Sequence, residues 1–153
     1  MDNRTVQIEI DPDQLARAIE RSAAELPNEA CGLLLGTDHG DGRVVVERVE
    51  PTRNATREPA ADTFEVHPED FVRLDGLARE LGLDVVGVWH SHPDSAAIPS
   101  RTDTERAWPG WSYLIVGRAA HSDVHARSWR LDATARFAEE RLLAPRGAVA
   151  VAS

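Results

Sequence analysis

The chain predicts a mixed α/β fold of the α+β kind: a largely antiparallel, curved sheet flanked by helices. Three observations lead there. Short β-branched or alternating runs at 6–10, 30–35, 43–49, 85–89, 113–116 and 124–131 are interspersed with segments of helical period. Several neighbouring runs are joined by connections too short for the crossover helix that a parallel pair needs. The 153 residues, 42% of them apolar and spread along the chain, suit one hydrophobic core without disulfides or a structural metal. No repeat or low-complexity linker interrupts the pattern, so 1–143 reads as one domain and the small-residue segment 144–153 as a mobile tail.

Val6-Gln7-Ile8-Glu9-Ile10 alternates apolar and polar side chains, as a half-buried strand does. Asp11-Pro12-Asp13-Gln14 reads as a helix start, with Asp11 at the N-cap, Pro12 in the first position and Gln14 completing a capping box. Leu15, Ile19 and Leu26 with Ala16 and Ala23 form its buried stripe, and Pro27-Asn28 ends it. The apolar run 30–35 and the β-branched run 43–49, separated by a turn rich in Gly and Asp, predict a hairpin. A strand is expected at 63–66. Pro68 then opens a helix that buries Phe71, Leu74, Leu77, Ala78 and Leu81 and stops at Gly82. The buried-type strand 85–89 runs into His90-Ser91-His92-Pro93, where proline ends the ladder. A loop at 94–99, a short helix from about Ser100, strands at 113–116 and 124–131, and a closing helix over 132–143 complete the expectation.

Composition narrows the function classes. The net charge of −9 disfavours nucleic acid and anionic lipid and leaves neutral or basic partners. All 17 basic residues are arginine. No run approaches the roughly 18 apolar residues of a membrane span, and the N-terminus lacks the charged-then-apolar run of a secretory signal. The single cysteine, Cys31, has no thiol partner and reads as a small buried side chain. A cytoplasmic location is the expectation.

The chemistry concentrates at His90, His92 and Asp103. Side chains on a strand repeat every two residues, so His90 and His92 share a face with Cα atoms about 6.5–7 Å apart, and two imidazoles can converge on one ion. A catalytic zinc needs a further protein ligand and leaves its fourth position to water. Ser100-Arg101-Thr102-Asp103 supplies a carboxylate: Ser100 falls at a helix N-cap and Asp103 in the first turn, where the helix dipole favours the ionised form. Ser-x-x-Asp alone reads as capping, and His-x-His alone is a weak metal signal. Their conjunction within 14 residues is what points to a metal centre.

The string His90-Ser91-His92-Pro93, followed by Ser100 and Asp103, resembles the signature of the JAMM (MPN-plus) zinc metallopeptidases, and the likeness extends over about 6–131. The resemblance implies a cytidine-deaminase-like architecture, one Zn2+ on His90, His92 and Asp103, and a glutamate-bearing strand matched by Glu29-Ala30-Cys31-Gly32. It assigns Glu29 as general base, which spacing alone does not choose over Glu65, Glu69 or Glu105. It also assigns the Ser100 hydroxyl to the developing oxyanion. Short stand-alone members imply, as partner, a ubiquitin-like or sulfur-carrier protein cleaved after its C-terminal Gly-Gly.

Other readings stay open on the residues alone. A two-His, one-carboxylate iron site uses the same donors, and related domains without ligands act as non-catalytic binding modules. The metallo-β-lactamase string fails at Ser95, and a cupin glutamate is missing at Ala96 and Ala97. His121 and His125 have a helical metal spacing, but they lie in a strand-like context. The four tryptophans read mainly as core.

Overall fold

The computed structural model describes residues 6–119 and 123–145. In chain order the elements are β1 (Gln7–Ile10), α1 (Pro12–Glu25), β2 (Cys31–Asp38), β3 (Arg43–Thr52), α2 (Pro68–Glu80), β4 (Asp84–Ser91), α3 (Arg101–Arg106), β5 (Ser112–Ala119), β6 (Asp123–Leu131) and β7 (Phe137–Leu143). The strands run in the order β1-β3-β2-β4-β5-β6-β7, and β7 returns to β1, so the curvature expected of the sheet is carried through to a closed barrel. Pairing is antiparallel at β2/β3, β2/β4, β5/β6 and β6/β7 and parallel at β1/β3, β1/β7 and β4/β5. The mixed, largely antiparallel α+β class is therefore the observed one.

Local chemistry explains most boundaries. The Asp11 side chain accepts from the Asp13 N–H and Pro12 leads α1. Gln14, however, does not close a capping box: its Oε1 accepts from the Val49 N–H at 2.8 Å and ties α1 to β3. α2 begins at Pro68 behind a His67 cap and gives way at Gly82, whose φ of +71° is the left-handed value that glycine adopts at no steric cost.

Two apolar clusters lie on the two faces of the sheet. One gathers Ile8, Ile10, Leu34, Val44, Val46, Trp89 and Leu114 under Leu15, Ala18 and Ile19 of α1. The other gathers Leu33, Leu35, Val88 and Tyr113 under Leu74 and Ala78 of α2. Between Leu34 and Leu35 the β2/β4 register slips from Gly87 to Val85, a bulge that sends Val86 to the α1 side and returns Val88 to the α2 side. His90, two residues on, belongs to that second face.

Two expected elements are corrected. Segment 63–66 is not a strand; Asn54 and Val66 form one isolated bridge, and Phe64 points inward instead. Segment 132–143 is not a helix. The Asp132 carboxylate accepts from the Thr134 N–H and hydroxyl and from the Arg136 N–H, and Ala135 takes φ +61°, closing a hairpin into β7. Glu140 is then buried, receiving Ser112, Ser128 and Arg130. The helix-favouring composition of Ala138-Glu139-Glu140-Arg141 is overridden by that tertiary pairing. Most of the 144–153 tail, and His121, lie outside the described residues, although Ala144 packs on the first cluster. No described helix is long and apolar enough to cross a membrane.

The strand carrying the histidines admits no side chain at Gly87, where an added Cβ would sit 2.0 Å from the Ser112 carbonyl oxygen of β5. Gly87→Ala is expected to lower stability by about 1–3 kcal/mol, the usual cost of overpacking. Chemical denaturation of the two proteins measures it.

Candidate metal centre

Two hydrogen bonds join the start of β2 to the end of β4. Ser91 donates its N–H to the Ala30 carbonyl at 3.0 Å, and its hydroxyl oxygen accepts from the Ala30 N–H at 2.8 Å. Ser91 thus looks away from the face used by its neighbours and holds Glu29 beside them. Beyond β4 the ladder continues for one residue, since the His92 N–H donates to the Val116 carbonyl of the parallel neighbour β5 at 2.9 Å. Both imidazoles are placed by main-chain bonds before any side-chain contact is made.

His90 Nε2, His92 Nε2 and Asp103 Oδ2 then meet. Their separations are 3.2 Å between the two nitrogens, 3.2 Å from His90 to Asp103 and 3.1 Å from His92 to Asp103. Metal bonds of about 2.0–2.1 Å in tetrahedral directions put donor atoms about 3.3 Å apart. The observed triangle fits a first-row divalent cation to within a few tenths of an ångström. The donor chemistry fits as well: a carbonyl can only accept, so the 2.9 Å contact of His92 Nδ1 with Ala96 O puts a hydrogen on Nδ1, and the neutral ring then carries its lone pair at Nε2. His90 is fully buried and stacks on Phe64 with ring centroids 4.4 Å apart, while its Nδ1 has no hydrogen-bond partner among the described residues.

α3 delivers the carboxylate. Ser100 Oγ accepts from the Asp103 N–H at 3.0 Å, and Asp103 Oδ2 accepts from the Ser100 N–H at 2.9 Å, a complete capping box. The capping oxygen and the oxygen facing the two imidazoles are one atom. Because the Ser100 Oγ is the acceptor in its bond, its hydrogen is left to donate elsewhere. Arg106 fastens the far end of α3 to the 53–66 segment through Thr63 and Glu58.

Charge follows this geometry. Burial works against ionisation of Asp103, but the two imidazoles and the Ser100 N–H outweigh it and hold the carboxyl far below the usual range. Burial also lowers the His90 pKa, favouring the neutral ring a metal ligand needs. Glu29 is 6% exposed; burial pushes its carboxyl up to about 8 against the attraction of His92, and its Oε1 has no partner among the described residues. Of the other glutamates left open by spacing, Glu69 pairs with Arg53 and Glu105 with Arg101, and Glu65 is exposed. Glu29 is the buried one beside the triad.

Phe64 is the site residue that sequence reasoning missed, and Ser91, which entered only as part of the matched string, was given no role. Ser91 was readable, since the residue between two same-face histidines must look the other way; Phe64 left no such signal. Cys31 is buried against Thr52, and burial raises its thiol to about 11. His125 accepts from the Ala97 N–H at 3.0 Å, and no metal cluster among the described residues includes it. Trp89 is core, whereas Trp108 and Trp111 line a cavity of about 750 Å³ with Phe64, His90 and Asp103.

Two imidazoles and a carboxylate around one point, with a buried glutamate alongside, form the kind of site a metal-dependent hydrolase uses. The chain belongs to the family of prokaryotic homologs of the JAB domain, whose model matches residues 12–132. It is 39% identical over 112 residues to a desampylase of Haloferax volcanii, covering 72% of this chain and 78% of that one. It is 31% identical over 128 residues to a CysO-cysteine peptidase of Mycobacterium tuberculosis, covering 78% and 79%. The solution structure of a protein from Desulfitobacterium hafniense superposes with a TM-score of 0.80 at 32% identity, over 92% of this chain and 94% of that one.

His92→Ala and Asp103→Asn are each expected to weaken divalent-metal binding by more than about 100-fold, read as metal retained per chain after dialysis. A second outcome concerns pH. With the Glu29 pKa near 8 in the folded state and 4.5 as its ordinary value, the folded metal-free protein holds the extra proton between those limits. Its stability should therefore fall as pH rises from about 5 to 8, and Glu29→Gln should flatten that slope in thermal melts.

Proposed function

We propose that this chain is a zinc-dependent peptidase that hydrolyses the amide bond following the C-terminal Gly-Gly of a ubiquitin-like or sulfur-carrier protein, with His90, His92 and Asp103 as ligands. The observation that carries this reading is the convergence of three donor atoms beside a buried glutamate with an unpartnered oxygen. The names of the relatives, a desampylase and a CysO-cysteine peptidase, support the substrate class.

When bound, zinc would lower the pKa of a coordinated water towards about 7 and polarise the scissile carbonyl. The protein's own groups do the rest. Glu29, kept partly protonated by burial when no cation is near, becomes a carboxylate beside one and accepts a proton from the attacking water. The water oxygen adds to the carbonyl carbon, the C–N bond breaks, and the proton held on Glu29 leaves with the amine. The free hydroxyl hydrogen of Ser100 is placed to donate to the carbonyl oxygen as negative charge develops there. His92, locked to Ala96, and His90, stacked on Phe64, keep their lone pairs aimed at one point.

The test joins metal analysis to turnover. The wild type should hold one zinc per chain and cleave a small β-grasp carrier extended past Gly-Gly. Glu29→Gln should keep the zinc but lose at least about 100-fold in kcat. Full activity in the chelated protein or in Glu29→Gln would overturn the mechanism.

A further inference from the structure

The triad is reached from two cavities of different character. The larger, about 750 Å³, touches it through His90 and Asp103 and is walled by Phe64, Val66, Phe71, Trp111 and Tyr113. The second, about 410 Å³, touches it through His92 and is lined by Glu29, Ser100, Asp62 and Asp94, with no arginine in its wall. Glu29 also borders a third cavity, of about 230 Å³ and containing Cys31 and Arg53, but no member of the triad opens into that one.

Proton bookkeeping decides which cavity receives which half of the substrate. Resting on the reading above, the amine that leaves must take its proton from Glu29, so its nitrogen has to come within hydrogen-bond reach of that carboxyl. Only the second cavity offers both Glu29 and the triad. The acyl half, with its extended tail, is left to the apolar cavity. The leaving half therefore meets Asp62 and Asp94, two exposed carboxylates whose side chains have no hydrogen-bond or ion-pair partner among the described residues. Asp62 is close enough to Glu29 to act on its charge. Glu29 borders the same cavity, and its buried Oε1 has no partner among the described residues.

We infer that this cavity is a leaving-group subsite that selects a lysine ε-amide within a basic protein segment and disfavours an adduct of a free amino acid. In an amino-acid adduct the α-carboxylate stands one carbon from the scissile nitrogen, which would bring a fourth negative charge against Glu29, Asp62 and Asp94. In a lysine conjugate that position is an aliphatic methylene. Neighbouring arginines or lysines of the modified segment then face the two aspartates. The surplus of acid over the whole chain works in the same direction at long range, a net charge of −9. The structure thus favours removal of a carrier from proteins over release of a single amino acid from the carrier.

Binding tests this without turnover. Fluorescently labelled acetyl-Arg-Lys-Arg-amide should bind about fivefold or more tightly than acetyl-Glu-Lys-Glu-amide, with or without zinc, and the preference should shrink in high salt. Asp62→Asn/Asp94→Asn should remove most of that preference. Glu80→Gln/Asp84→Asn, with the same change in net charge away from the cavity, should keep it. Equal binding of the two peptides, or equal loss in both variants, would overturn the subsite. In turnover, the ratio of kcat/KM for a Gly-Gly isopeptide on the basic peptide over a Gly-Gly-cysteine adduct should exceed one and fall in the Asn variant. It should reverse in Asp62→Lys/Asp94→Lys, a gain that misfolding cannot mimic. If neither amide is cleaved, the hydrolytic reading fails, while the binding arm still decides the subsite.

Discussion

The main-chain clamp between Ala30 and Ser91 underlies everything else at the site. A strand presents alternate residues to opposite faces, and β4 uses both: the side chain between the two histidines turns back and satisfies the backbone of the strand next door. One residue before the clamp lies Glu29, and one residue to either side of Ser91 lie the imidazoles. A shift of register by a single position would exchange faces and separate the proton acceptor from the ligands at once. The parallel neighbour β5 then fixes the end of the strand through Val116, and the close approach of β4 to β5 at Gly87 is part of the same constraint.

Two of the buried carboxylates near the sheet, Glu140 and Glu29, are treated differently. Glu140 is 3% exposed and receives hydrogen bonds from Ser112, Ser128 and Arg130, so that both of its oxygens are partnered. Glu29 is almost as buried, yet one of its oxygens is left without a partner. An unsatisfied buried acceptor costs roughly 1–3 kcal/mol. A closed barrel with helices on both faces can carry that cost at one point, and the point it chooses lies between two cavities beside the triad. The contrast separates a carboxylate that holds the fold from one that is kept ready for a proton.

Strand period and helix capping, two local rules, were enough to single out His90, His92 and Asp103 along the chain, and the geometry brings their donor atoms together. Glu29 was different: family resemblance singled it out, but spacing and local rules do not choose it over Glu65, Glu69 or Glu105, because its position depends on the bond of its neighbour Ala30 to a residue 61 positions away in sequence. Phe64 was invisible for a similar reason, since its stacking on His90 depends on a loop that lacks regular structure. The closing strand was misjudged because helical propensity at 138–141 is a local quantity, whereas the burial of Glu140 and the turn at Asp132 are decided by pairing with β6. Barrel closure followed from that same pairing and could not be reached without it.

α3 has six residues, too few for a helix to persist on its own strength. What holds its first turn is Asp103 Oδ2, the same oxygen that faces the imidazoles, so its order is tied to whatever charge occupies the space between them. Without a cation there, the carboxylate still meets both imidazoles and the Ser100 N–H, but the first turn of so short a helix stays among the cheaper pieces of the fold to open. Amide hydrogen exchange along 101–106 therefore acts as a gauge of occupancy. α3 gives Thr102, Asp103 and Arg106 to the apolar cavity and its N-cap Ser100 to the acidic one, so an opening of that turn touches one wall of each cavity while the barrel stays closed.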